Sequence, residues 1–358
     1  MCITQIPEAM VSAMIVGVPV AFALQGTWIM NIITSLVGGS RPGMVCGATT
    51  FVAVALSELK ENKGEEYIFY AIMVGASLQI LFALSGMGAF VRLLPYPVIQ
   101  GFSNAMGLVI IAAQFRFGKT IIGQQNTQDR NLIELGYSWQ HITDENTSWN
   151  TGSSLYVLII HAFFAFLISL FLPRITRVIP GALVAIFVGT IVEQGILRTS
   201  TKYESATIED FGKVETPYLQ PIWTNSDIEL PDFSWDTFKK VFLTGLAVFG
   251  AGISESLLTL QIVDNLTEYR GNQNQVVLGQ GLANMASAMF GGLGGGGSVG
   301  QAVIAIHCDG ITRLSTFITG IFMMIAIYFA YGAINLVPLG TIAGVMFWSV
   351  SFIITLLQ

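Results

Sequence analysis

Two carboxylates stand where chemistry could be done. Glu255 sits in Gly252-Ile253-Ser254-Glu255-Ser256-Leu257-Leu258-Thr259, inside an otherwise apolar segment. Glu8 follows Ile6-Pro7 at the mouth of the first apolar stretch. A charge at the centre of a membrane helix costs about 2.5–3.5 kcal/mol on insertion scales. Such a group is therefore protonated, paired with a neighbouring helix, or holding a cation in a polar cavity. Thr259 is four residues after Glu255, so the two share a helix face. A carboxylate and a hydroxyl one turn apart offer hard oxygen ligands to a small cation. Glu8 has a second reading, in which it reaches the cytoplasmic interface.

Two segments are broken by small residues. The first runs from Gly38-Gly39-Ser40-Arg41-Pro42-Gly43 through Gly47-Ala48-Thr49-Thr50, and the second from Gly291-Gly292 through Gly296-Gly297-Ser298-Val299-Gly300-Gln301. Each follows an apolar helix and opens a run that could start as a strand. So many glycines cannot sustain a spanning helix, and unwound backbone at membrane depth survives where it lines a cavity. A pair of Gly/Pro-interrupted spans at matching places in two halves points to a transporter site. Helix N-termini at such breaks present free N–H groups to an anion. The alternative is close helix packing through small residues. Gly292 to Gly297 also matches GxGxxG by letter, but no βαβ pattern surrounds it. No Walker motif, HExxH or GxSxG occurs.

The elements that must position these residues are apolar. The chain has 358 residues, 53% of them hydrophobic and only 11% charged, with mean hydropathy +0.66. A soluble protein carries about 25% charged residues and could not cover its surface with so few. A net charge of −6 leaves no basic footprint for nucleic acid. Cys2, Cys46 and Cys308 lie far apart and form neither a disulfide framework nor a zinc spacing. His141, His161 and His307 are equally scattered. No cleavable-signal pattern is present.

Charge-free runs locate the spans. They cover 9–40, 42–57, 67–91, 93–115, 146–173, 178–192, 241–254, 271–308 and 314–358. Splitting the long runs near Gln25-Gly26, the glycine cluster and Pro338 gives about twelve segments. Residues 116–152 and 194–238 read as extramembrane loops. With a cytoplasmic N-terminus, Arg41, Arg92, Arg174, Arg177, Arg270 and Arg313 fall in short cytoplasmic turns, while an outer loop with Lys60 and Lys63 disagrees. Asn146-Thr147-Ser148 and Asn265-Leu266-Thr267 match the glycosylation sequon, the first on the outer side.

On these residues the sequence resembles the sulfate permease (SulP) family of anion transporters. The matching stretches run in family order: Ile6-Pro7-Glu8-Ala9-Met10, Gly39 to Met44, Leu94-Pro95-Tyr96-Pro97 through Asn104-Ala105, Glu255 through Thr267, and Gly279 through Gly292. The resemblance implies an all-α polytopic membrane protein built from two inverted seven-span repeats, with short strands and half-helices at spans three and ten. It divides the chain into a first repeat at 1–193, an extramembrane loop at 194–238, and a second repeat at 239–358 that stops near span twelve or thirteen. No STAS domain is seen, and the chain reads as part of a longer gene product.

The resemblance also implies roles. The anion would bind at Gly47, Ala48, Thr49 and Thr50 and at Gly296, Gly297, Ser298 and Val299. In the sodium-coupled bicarbonate branch, an Asp and a Thr at the places of Glu255 and Thr259 help hold sodium. Glu255 and Thr259, with Glu8, are therefore the expected cation-coupling residues, for sodium or a proton. Many members have a basic residue where Gly300-Gln301 stands, which leaves this site with fewer positive charges. The expected function is secondary transport of a small inorganic anion by alternating access, as a core domain moves against a gate domain. Bicarbonate with sodium comes first, and sulfate with a proton or sodium second. A nucleobase–cation symporter, an anion channel and a non-transporting membrane protein are the alternatives; an enzyme is not expected. No cofactor is expected beyond the coupling ion. The partners are the anion and the lipid bilayer, with a homodimer as a family expectation.

Overall fold

The computed structural model describes residues 2–40, 43–88, 96–121, 147–149, 153–175, 181–200, 205–212, 221–222 and 234–356. Arg41-Pro42, Arg92, Leu94-Pro95, His141, Asn146, Arg177 and most of both long polar stretches lie outside the described residues. The chain forms two compact units interleaved in sequence, one from Met1–Phe102 with Thr216–Tyr328, the other from Ser103–Glu215 with Phe329–Gln358.

The first unit begins with α1 (Cys2–Val16) and α2 (Val20–Val37), followed by strand β1 (Cys46–Ala48), α3 (Thr50–Lys63) and α4 (Glu66–Leu84). Helix α5 (Tyr96–Gln114) follows and carries the chain into the second unit. The first unit resumes with α9 (Trp235–Thr267), α10 (Gln273–Met289), strand β4 (Gly295–Gly297), α11 (Val299–His307) and α12 (Arg313–Phe329). Helices α2, α4, α9 and α10 pack together, with Met30, Leu257, Leu260, Val277 and Ala283 in their shared core. Small residues permit the close approach. A Cβ at Gly26 would strike the Leu293 carbonyl oxygen, and one at Gly75 would lie 2.9 Å from the Gly245 carbonyl.

The second unit has a short antiparallel pair, β2 (Lys119–Ile121) with β3 (Thr147–Trp149), at the two ends of the first polar stretch. Then come α6 (Ser153–Ile175) and α7 (Gly181–Ile191), which continues as a π-helical segment (Val192–Leu197) and a last turn at Arg198–Ser200. Helix α8 (Ile208–Gly212), α13 (Tyr331–Asn335) and α14 (Leu339–Leu356) complete it. Helix α6 packs on α14 at glycine distance, since a Cβ at Gly340 would lie 2.6 Å from the Leu158 carbonyl oxygen. The short pairing of Thr207 with Pro338 ties the start of α8 to the entry of α14.

Four described helices are long and apolar enough to cross a membrane by length and composition: α2, α4, α6 and α9. Their exposed faces carry Leu81, Leu84, Phe163, Phe164 and Leu246, as expected of surfaces that meet lipid.

Three sequence boundaries are corrected. The first apolar run breaks at Gly17–Pro19 rather than at Gln25-Gly26, which lie buried inside α2. Gly17 takes φ +78°, where glycine alone is comfortable, and Pro19 has no N–H to continue a ladder. Lys60 and Lys63 stand in the last turn of α3 instead of a loop, where cations complement the helix dipole. The stretch from 194 onward opens as helix, because α7 runs on through its π segment.

Candidate functional site

Strands β1 and β4 pair antiparallel, with Cys46 opposite Gly297, Gly47 opposite Gly296 and Ala48 opposite Gly295. Each leads directly into a short helix of the first unit. Thr49 is the N-cap of α3, and Ser298 is the N-cap of α11. The two half-helices thus start from one small ribbon, and all eight residues expected to bind the anion lie at it: Gly47, Ala48, Thr49, Thr50, Gly296, Gly297, Ser298 and Val299.

The ribbon is built from glycine because its neighbours leave no room. A Cβ at Gly295 would strike the Gly47 carbonyl oxygen, and one at Gly296 would stand 2.7 Å from Glu255 Oε2. The strands are too short to satisfy themselves, so buried amides complete them. Asn31 Oδ1 accepts from the Cys46 amide at 3.1 Å, while Asn284 Oδ1 accepts from the Gly295 amide at 2.9 Å. Gln5 Nε2 donates to the Cys46 carbonyl and Gln280 Nε2 to the Gly295 carbonyl.

Ser and Thr at an N-cap ordinarily accept from their own helix. Neither does so here. Thr49 Oγ1 donates to Glu255 Oε2 at 2.6 Å, and Ser298 Oγ lies 2.8 and 2.9 Å from the two Glu8 oxygens. Four residues beyond each carboxylate a hydroxyl closes the other side. Thr259 Oγ1 donates to the Gly297 carbonyl at 2.5 Å, and Ser12 Oγ donates to the Ala48 carbonyl at 3.2 Å. The two constellations correspond term by term. Glu255, Thr259, Gly297 and Thr49 match Glu8, Ser12, Ala48 and Ser298, and Asn284 matches Asn31. This is the local imprint of the inverted repeat, with α1 and α9 exchanging carboxylates across the paired strands.

Burial distinguishes the two halves. Glu255 and Thr259 are 1% and 0% exposed, whereas Glu8 is half-buried. Its route to the cytoplasmic interface is replaced by the contact with Ser298. Thr50 Oγ1 is buried at the first turn of α3 without a hydrogen-bond partner, so a polar group there stands ready for a ligand. Gln301 stands beside Glu8 together with Ser298 and is joined to Thr4 by two bonds of 2.7 and 2.9 Å. Among the described hydrogen bonds of the site there are two carboxylates and no Lys, Arg or His side chain.

Sequence reasoning placed Glu255, Thr259 and Glu8 but missed Gln5, Ser12, Asn31, Gln280 and Asn284. A signal was available, since Gln5, Glu8 and Ser12 recur at helical spacing in an apolar helix, as do Gln280, Asn284 and Ser287. Asn265 of the second sequon lies within α9.

The chain is similar to several transporters along nearly its whole length. It is 30% identical over 341 residues to YbaR of Bacillus subtilis, a protein named for sulfate transport, covering 95% of this chain and 62% of that one. It is 27% identical over 338 residues to the bicarbonate transporter BicA of Synechocystis, covering 91% and 55%. The chain therefore spans little more than half the length of these relatives. Among solved structures, the transmembrane domain of a cyanobacterial bicarbonate transporter BicA superposes with TM-score 0.75 at 25% identity, covering 99% of this chain and 86% of that one. The murine Slc26a9 anion transporter superposes with TM-score 0.74 at 16% identity, covering 96% and 57%, and so shares the fold. The architecture is that of a multi-pass integral membrane protein with inverted repeats. Half-helices starting from one glycine ribbon, each facing a carboxylate of the other repeat, and a match over residues 1–357 to the sulfate permease family lead to one conclusion: the chain belongs to that family.

Proposed function

We propose that the chain carries a small inorganic anion across a membrane by alternating access, and that one or more cations travel with it. The single observation that carries this reading is the pairing of both half-helix N-caps with buried or half-buried carboxylates, Thr49 with Glu255 and Ser298 with Glu8. Each helix N-terminus supplies about half a positive charge. Two ionised carboxylates outweigh both dipoles before any anion arrives. An anion can enter only when cations or protons neutralise the carboxylates, which makes symport the natural mode.

Sodium suits the buried half. Glu255 Oε2, Thr259 Oγ1 and the Gly297 carbonyl are hard oxygen donors, the first bonded to Thr49 and the other two to each other, on α9 and the strand it packs against. The anion would sit between the N-termini of α3 and α11, against Thr49, Thr50, Ser298 and Val299. With no basic side chain among the described hydrogen bonds of the site to offset a divalent charge, a monovalent anion is preferred, and bicarbonate is the first choice. The likeness to the BicA transmembrane domain supports that order. Sulfate with a proton or sodium is the second reading, favoured by the likeness to YbaR.

The test is uptake of labelled bicarbonate and labelled sulfate into proteoliposomes, with and without an inward sodium gradient. Saturable bicarbonate uptake driven by sodium is the expected result. Sulfate uptake that follows a proton gradient and ignores sodium would replace it with the second reading. Flux that neither saturates nor depends on any cation would refute coupled transport.

A further inference from the structure

The second unit holds a buried ionisable cluster that the transport site does not use. Glu193 opens the π-helical segment and is fully buried. Its Oε1 accepts from the Ser205 amide at 2.8 Å and faces Arg198 Nε at 3.4 Å. Its Oε2 has no hydrogen-bond partner. Across from it, at 3.7 Å, is Nε2 of His161 on α6, and that nitrogen is also buried without a partner. Two buried orphaned atoms thus face each other.

The other ring nitrogen fixes what Nε2 must be. His161 Nδ1 lies 2.9 Å from the Val157 carbonyl oxygen. A carbonyl only accepts, so Nδ1 carries a hydrogen. In the neutral ring Nε2 is then an acceptor, and it faces a carboxylate oxygen that is also an acceptor. A proton placed between them satisfies both, as Nε2–H turned toward Oε2. The charge count agrees. Arg198 lies 3.4 Å from Glu193 and 3.6 Å from Asp210, one cation between two carboxylates. A proton on His161 brings these described groups to neutrality. The packed faces of α7 and α14 add no titratable side chain, while the short turn Phe115–Gly118, which packs on α6 and α14, carries Arg116. Thr207 donates to Asp210 and holds it as the first-turn cap of α8. The π turn fits a functional placement, since π-bulges concentrate at functional sites.

We propose that His161 and Glu193 form a proton-binding site in the second unit, with the proton held on His161 Nε2 and shared with Glu193 Oε2. No covalent bond breaks; the ligand is a proton taken from solvent. The proposal stands independently of the anion and cation assignments, because every residue in it belongs to the second unit.

The test is nitrogen-15 NMR of histidine-labelled protein in lipid nanodiscs, followed over about pH 5 to 9. His141→Gln and His307→Gln variants assign the His161 signal by elimination, so no variant of His161 is needed. The expected result is a His161 ring with both nitrogens protonated in the wild type, and loss of that signal in Glu193→Gln. A His161 ring that keeps a bare Nε2 throughout, unchanged in Glu193→Gln, would overturn the proposal and assign the gap to a water.

Discussion

Glu255 is held by Thr49 on one side and by the backbone of β4 on the other, with Thr259 closing the turn below. Removing its charge at nearly constant volume should separate its two possible services. Glu255→Gln is predicted to abolish sodium dependence of uptake while leaving the fold intact; normal, still sodium-dependent transport in that variant would exclude Glu255 as the cation ligand. Glu8 occupies the matching place in the first repeat but is half-buried. Glu8→Gln should keep the sodium requirement and lower the charge moved per anion by one, read as the ratio of charge to labelled anion moved. An unchanged ratio would remove Glu8 from the coupling. Thr49→Leu or Ser298→Leu places a bulky apolar group at the half-helix mouths and should weaken anion affinity by about tenfold or more, roughly 1.4 kcal/mol. Unchanged affinity in both would move the anion elsewhere.

Strands of three residues have little cohesion of their own, so the ribbon of β1 and β4 depends on amides lent by α2 and α10. Replacing Asn31 or Asn284 by Leu leaves a buried strand N–H without its acceptor. The expected cost is about 1–3 kcal/mol each, measured as a lower melting temperature in detergent; no shift would show that the ribbon finds another acceptor. At this scale the sequence was readable where local chemistry decides. A run of glycines cannot be helix, so the two breaks were legible from the residues, while the family resemblance placed the half-helix openings at Gly47 to Thr50 and Gly296 to Val299. The break in the first apolar run was not, because Gly17 and Gly26 look alike in sequence. Only packing distinguishes them, since Gly26 lies against the Leu293 backbone while Gly17 turns the chain. The polar stripes on α1 and α10 were written in the spacing but say nothing alone about which strand they complete.

For the whole molecule, each compact unit draws on both halves of the chain, so contacts of long sequence separation decide the site. Thr49 and Glu255 are 206 residues apart, Glu8 and Ser298 290. No local pattern encodes such pairs; the family resemblance supplied the frame, and the structure supplied the exchange of carboxylates between repeats. His161 and Glu193 lie far nearer in sequence and were hidden for another reason, since composition presents them as an isolated histidine and one acid among many. The central claim at this scale is that a doubly acidic site accepts an anion only with cations. The most direct measurement is the initial rate of labelled bicarbonate uptake into proteoliposomes, compared between sodium-loaded and sodium-free outer solutions, for the wild type and Glu255→Gln. Sodium should stimulate the wild type about tenfold or more, the effect of roughly 1.4 kcal/mol of coupling, and should leave Glu255→Gln unaffected. Equal wild-type rates with and without sodium, at fixed pH and membrane potential, would contradict cation-dependent entry at Glu255.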